Sequence, residues 1–343
     1  MLRLPEIREQ IMAWSDGLLD RDGLYGSYRM AKGRRPDLYS SLDMALTRTV
    51  MGEDLLTSLS ERQRGEWVEH INSYARGNYH GWPGDGSYED TFGHYPLHAN
   101  GMVIGALGVL GGRQRWPCRL YEPFATPEKV AAWLEGIDWA GQWRASHLFW
   151  GGMHCFSFSR ACTPEWIDTV IGWLDANLDS DTGWWRKGVA HSDRHQPLGG
   201  SVHIVPIYTH HGRTFPAPER LIDSTLALQL PNGRWLDMPD PNPTHYLELD
   251  ALYALKVARD LVPNYRRDDI ERSLDRYIAV VDDYWATQRD SLLALHPHRI
   301  LSAAGILGLF QQHRPEQFPD SRTWSDIFSD RSLYRTDRVE VLG

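Results

Sequence analysis

The chain has 343 residues, 42% of them hydrophobic and 24% charged, with a formal net charge of −9, a make-up that suits a globular protein with a sizeable core. The acidic balance leaves no surplus of cations for phosphate contacts, so nucleic acid is not expected as a partner. Cys118, Cys155 and Cys162 form neither a disulfide framework nor a paired metal motif, and the opening MLRLPEIREQIMAW is broken by Arg3, Glu6, Arg8 and Glu9, so neither a signal peptide nor a membrane span is expected and a cytoplasmic location is.

In chain order the sequence alternates two kinds of segment. The first kind runs PEIREQIMAW from Pro5, SERQRGEWVEHIN from Ser60, PEKVAAWLEG from Pro127, PEWIDTVIGWLDAN from Pro164, PERLIDSTLA from Pro218 and DDIERSLDRYIAVV from Asp268. Four of these open on Pro-Glu, a favourable helix start: proline needs no N–H in the first turn, and the carboxylate meets the positive end of the helix dipole. Most close on a Gly-aromatic turn. The second kind is apolar nearly all round: DLYSSLDMALTRTVMG, FGHYPLHANGMVIGALGVLGG, SHLFWGGMHCFSFSR, HQPLGGSVHIVPIYTHHG, THYLELDALYALKVARDL and HPHRILSAAGILGLFQQH. Six amphipathic outer helices alternating with six apolar inner ones predict an all-α fold, an (α/α)6 toroid of six hairpins in one domain over 1–343. Residues 313–343 are expected to form an irregular extension packed on it.

Two turns carry a resemblance. QLPNGRW, residues 229–235, is similar to the Q-xxx-G-x-W turn of the terpenoid-cyclase and protein-prenyltransferase superfamily, and NLDSDTGWW, residues 177–185, resembles the helix-ending turns of (α/α)-barrel glycan-processing enzymes. The resemblance implies the scaffold and leaves the reaction open. The DxDD and DDxxD motifs of terpenoid cyclases are not found. VDDYW at 281–285 falls on an outer helix and lacks the third acid.

Aligning the inner segments on their apolar pattern gives SSLDMAL, YPLHANG, GGMHCFS, GSVHIVP and LELDALY, whose fourth residues are Asp43, His98, His154, His203 and Asp250; the sixth segment offers alanine. Five ionisable residues at one repeat position predict a shared site, because burying so many without function is costly. One turn earlier the same register gives Tyr39, His94, Trp150, Gly199 and Tyr246, and one turn later Thr47, Met102, Phe158, Ile207 and Ala254. The expected pocket therefore has an aromatic rim, an ionisable belt and an apolar floor.

The belt residues Asp43, His98, His154, His203 and Asp250 are the candidate catalytic groups. Tyr39, His94, Trp150, Tyr246, His245, Glu248 and Asp90 are candidate substrate contacts, the last beside Asp85 and Glu89 in GDGSYED. His191, Asp193 and His195 are expected to cap a helix or flank the rim, His210 and His211 to lie at the far end, and His296 and His298 to join the rim. His, Tyr and Asp around a Trp-rich mouth suit acid/base chemistry on a sugar or oligosaccharide. Uronate lyases and sugar epimerases resemble this architecture, so lyase or epimerase chemistry is preferred; glycoside hydrolysis by Asp43 and Asp250 comes next. An isoprenoid-processing enzyme and a non-catalytic glycan or peptide binder are the alternatives. No cofactor is firmly implied, although His98, His154 and His203 are candidate ligands for a divalent metal. Neither a membrane partner nor an oligomeric state is indicated.

Overall fold

A computed structural model describes residues 2–76, 87–88, 92–293 and 295–330, without the side chains of 289 and 291–293. Among the described residues the fold is all-helical. Among these residues isolated bridges such as Leu19 to Tyr28 and Arg29 to Pro36 are the only β pairings, and no described helix is long and apolar enough to cross a membrane.

Both kinds of segment form helices where the sequence pattern puts them. The amphipathic set is α1 (Leu4–Asp16), α4 (Glu61–Asn72), α6 (Pro127–Glu135), α9 (Pro164–Asn177), α12 (Pro218–Ala227) and α14 (Arg267–Leu293). The apolar set is α2 (Leu38–Val50), α5 (Pro96–Leu110), α7 (Gln142–Leu148) with its continuation through a π-turn (Phe149–His154) into α8 (Cys155–Ser157), α10 (Gln196–Val202) with α11 (Pro206–His210), α13 (Tyr246–Leu261) and α15 (Pro297–His313). Between α2 and α4 lies the short α3 (Leu55–Ser58). The start signals act as expected. Thr126 and Thr163 cap α6 and α9 through their hydroxyls ahead of Pro127 and Pro164, and Ser60 and Gln63 form a capping box on α4.

The Gly-aromatic turns give a structural role to Trp185 and Trp235. Gly183 and Gly233 have φ of +73° and +87°, a region that suits glycine, and at Gly183 a methyl group would also sit 2.8 Å from the Leu221 backbone nitrogen. After each turn an indole N–H folds back onto the preceding amphipathic helix: Trp185 donates to Leu174 O at 2.7 Å and Trp235 to Thr225 O at 2.8 Å. Trp139 does the same to Leu134 O at 2.8 Å after α6. These indoles satisfy carbonyls that a helix end leaves open. Gln229 of QLPNGRW donates to Gly233 O and Ser273 O, tying its turn to α14.

Neighbouring apolar helices pack in sequence. α2 packs on α5, α5 on the π-turn, α7 on α10, α10 on α13, α13 on α15, and α15 packs back on α2. The amphipathic helices lie against this set, α4 on α5, α12 on α13 and α14 on α15. Residues 314–330 are irregular and bury Phe318, Trp324, Ile327 and Phe328. Ser325 N donates to Val50 O at the end of α2, and the Gln311 side chain accepts from Trp324 N at 2.7 Å.

Candidate functional site

A cavity of about 460 Å³ opens where the apolar helices begin. His94 and His98 come from the start of α5, Trp143, Arg144, Ser146, His147 and Trp150 from α7 and the π-turn, Gln196 and His203 from α10, His245 and Tyr246 from the start of α13, and His296, His298 and Arg299 from the start of α15. Phe92, Leu46, Met102, Leu301 and Ile327 complete the lining. Ile327 belongs to the irregular tail, whose Phe328 meets the His203 ring edge-on at 5.1 Å and Tyr253 at 4.8 Å. The tail therefore supplies part of the wall.

The close approach of α5 and the π-turn sets the geometry of one side. A methyl group on Gly151 would collide with the Leu97 carbonyl oxygen, and one on Gly101 would lie 2.6 Å from Gly151 Cα. The two backbones touch through glycine, which brings His147 to within ring-stacking distance of His94 at 4.4 Å, with planes 7° apart. His98 lies 4.4 Å from His94 and 4.6 Å from His147 between ring centroids. One ligand nitrogen of each falls within 4.8 Å of the others.

His298 adjoins this trio, its ring centroid 5.4 Å from His94 and 6.2 Å from His98, and its Nδ1 is 2.9 Å from Asp43 Oδ1. Asp43 is fully buried, and its other carboxylate oxygen has no hydrogen-bond partner. Burial raises its pKa, against the lowering pull of His298. The Tyr246 hydroxyl donates to His298 O at 2.7 Å, further fixing the first turn of α15 that carries the ring. His245 caps α13, its Nδ1 accepting from Leu247 N at 3.3 Å, so its proton sits on Nε2. Burial lowers the pKa values of His94, His203, His245 and His296 to about 4 and of His147 to about 2, and pushes that of His98 well below its usual value, with neighbouring histidines adding to the effect at His98 and His147. These imidazoles are neutral at pH 7. The formal charge on the described lining comes from two arginines: Arg299, which pairs with Asp240 at 2.8 Å, and the exposed Arg144, which lies over Tyr95.

The five aligned belt positions divide. His98 and His203 line the cavity, and Asp43 stands one hydrogen bond behind it. His154 does not line it. This residue is fully buried, and its Nε2 meets His203 O at 2.7 Å. That carbonyl needs a partner because the helix breaks before Pro206, and Ile207 N bonds instead to Ile204 O. Asp250 is also fully buried and outside the lining. Among the candidate contacts, His94, Trp150, His245 and Tyr246 line the cavity. Tyr39 stands behind, its hydroxyl 3.0 Å from His98 Nδ1. Glu248 is buried, accepting from Arg234 Nε, Trp235 N and Leu236 N, which anchors the QLPNGRW turn. Asp90, with Asp85 and Glu89, lies outside the described residues.

The segment HSDRH is a capping device: Asp193 accepts from His195 N and Gln196 N, and His195 Nε2 accepts from Asp237 N. His211 bonds Ser157 Oγ away from the lining. His147, Arg144, Trp143, Gln196 and Arg299 escaped the repeat alignment. Arg144, His147 and Trp150 recur at three-residue spacing, a helical signal, but α7 begins at Gln142, ahead of the segment taken as apolar from Ser146.

Comparison with protein-family models, with curated proteins and with solved structures finds no match to this chain.

Proposed function

We propose that the chain is a carbohydrate-active enzyme built as an (α/α)6 toroid, and that it removes a proton beside the carboxylate of a uronate-type sugar held in the cavity. The toroid reading is supported by the order of helix packing, in which α15 returns to α2. The observation that carries the chemistry is the Asp43–His298 pair at a cavity whose lining also includes Arg144 and Arg299.

In this reading Asp43 accepts from His298 Nδ1–H and leaves Nε2 to act as the base, the arrangement by which a buried carboxylate fixes an imidazole tautomer. Arg144 and Arg299 bind the substrate carboxylate and offset the negative charge that gathers there as the α-proton leaves. His245, with its proton on Nε2, is a further donor in the same lining. If the C4–O4 bond then breaks, C4=C5 forms and the leaving oxygen takes a proton, giving a lyase. If a proton returns to C5 from the other face, the product is an epimer. Hydrolysis ranks lower because Asp43 and Asp250 both lie outside the lining and no other described carboxylate joins it.

The test is incubation with uronate-containing oligosaccharides in D2O, following both new ultraviolet-absorbing ends and deuterium at C5. His298→Gln is expected to lower kcat about 10²–10⁴-fold, the usual worth of a general base, and Arg144→Met to raise KM with a smaller effect on kcat. Absence of both elimination and exchange in the wild-type protein, or full activity in His298→Gln, overturns the proposal. Thermal shifts by prenyl diphosphates but not by uronates would favour the isoprenoid alternative.

A further inference from the structure

The proposed base chemistry gives no role to His94, His98 and His147, whose rings converge beside His298, 5.4 Å from His94 between centroids. We propose that these three side chains bind one divalent transition-metal ion of the zinc class, with a remaining coordination position facing the cavity. The inference stands on the geometry of the histidines and holds whether or not the substrate is a uronate.

The donor set has the required size. Three ring nitrogens lie within 4.8 Å of one another, whereas nitrogens around a tetrahedral ion at Zn–N distances of about 2.0–2.1 Å stand roughly 3.3 Å apart. Closing that difference requires the rings to turn towards one another. The His94 and His147 planes are 7° from parallel, so their in-plane lone pairs do not yet meet, and one ring must turn about χ2, a broad torsion for histidine. The site also has its supporting contact. Tyr39 OH engages His98 Nδ1 at 3.0 Å, leaving Nε2 for the ion, and a hydrogen bond on the far nitrogen is what commonly orients a ligating imidazole.

A second observation points to a ligand. His147 Nδ1 is buried and has no hydrogen-bond partner, a costly state for a nitrogen with a lone pair or a proton to share. Imidazole donors favour Zn²⁺, Co²⁺, Ni²⁺ or Cu²⁺ over Mg²⁺ or Ca²⁺, which prefer oxygen. Three protein ligands with an open position are the pattern of sites where the metal meets a substrate oxygen or water. The Gly101–Gly151 contact packs α5 against the π-turn, which sets His98 of α5 beside His147 of α7, and His94 joins them from the bend that leads into α5.

The experiment uses the full chain, stripped with chelator and dialysed, then titrated with Co²⁺ while visible absorption is recorded. Zn²⁺ competition and elemental analysis give affinity and stoichiometry. The wild type is expected to bind one equivalent with the intense visible bands of low-coordinate Co²⁺, and Zn²⁺ should raise its Tm. His94→Ala and His147→Ala should each weaken binding at least about 100-fold and abolish the Zn²⁺-induced rise in Tm. His245→Ala, which removes a histidine of the same cavity but not of the trio, should keep both. Circular dichroism and metal-free Tm establish that each variant is folded; if a single alanine variant unfolds, His147→Gln replaces it. Substoichiometric metal in the wild type, or unchanged Co²⁺ spectra in folded His94 and His147 variants, overturns the proposal.

Discussion

Asp250 is fully buried, and neither of its carboxylate oxygens has a hydrogen-bond partner. Burial first, and Glu248 second, push its pKa well above the carboxylate range. A group with a raised folded pKa holds more protons folded than unfolded, so it weakens the fold as pH climbs from the unfolded value towards the folded one. Asp250→Asn keeps the shape and removes this dependence. We expect it to raise Tm, by more at pH 8 than at pH 5, in thermal melts; a loss of stability at pH 8 would show that the carboxylate is held by an interaction of its own. Asp43 differs because His298 takes one of its oxygens. Asp43→Asn should lower turnover about 100-fold or more in the C5 exchange assay, acting through the orientation and tautomer of His298 rather than through contact with substrate. A fall in kcat with KM and Tm little changed separates this positioning role from simple misfolding.

The π-turn between α7 and α8 shows what a single element decides. A turn closed by i→i+5 bonds takes in an extra residue and changes the angular phase of what precedes it. One residue in a helix is worth about 100°, so the phase that relates His154 to its counterparts cannot be carried back to His147 by counting. In the folded chain His147 lines the cavity and His154 bonds a carbonyl exposed by the break at Pro206. Gly151→Ala tests the element directly. Its new methyl meets the Leu97 carbonyl oxygen, and overpacking of this kind costs about 1–3 kcal/mol or more. A lowered Tm together with weakened Co²⁺ binding is expected; an unchanged Tm would mean that the two backbones can separate freely. The broken helix at His203 follows the same logic, since Pro206 was visible in the sequence but the partner for the freed carbonyl was not.

For the molecule as a whole the histidines set the response to acid. His70, His154 and His313 are buried outside the cavity lining; burial lowers His70 to about 4 and His313 to about 3 and holds His154 well below its usual value. Below the ordinary histidine pKa of about 6.5 the unfolded chain binds protons that the folded chain does not, and each such proton is worth up to about 1.4 kcal/mol per pH unit. Stability is therefore present above pH 6.5 and is lost as pH falls from there towards 4. Asp43 and Asp250 slope the other way, but the histidines outnumber them. Denaturant melts at pH 7, 6 and 5 should show a steady fall in unfolding free energy with a net uptake of at least about two protons on unfolding; a flat profile over this range would contradict the buried, neutral state of these rings.

Helices, their order and their two kinds of face were legible in the amino-acid sequence, because proline-led starts, glycine-ended stops and apolar periodicity act locally, within a turn or two of the residues that cause them. PEKVAAW and PEWIDTV became amphipathic helices, whereas the Gly-aromatic turns of DTGWW and NGRW follow helices that already end at Asn177 and Ala227. The belt was legible only in part: the repeat register found His98 and His203, but it gave His154 and Asp250 the same weight although neither lines the cavity. Tertiary structure decided the rest. Which polar side chain faces the cavity depends on the phase set by a π-turn, on a helix break at Pro206 and on glycine-mediated contact between α5 and α7's continuation. Those are non-local events, and the energies that choose among them, a satisfied carbonyl here and an excluded methyl there, arise only when distant segments touch.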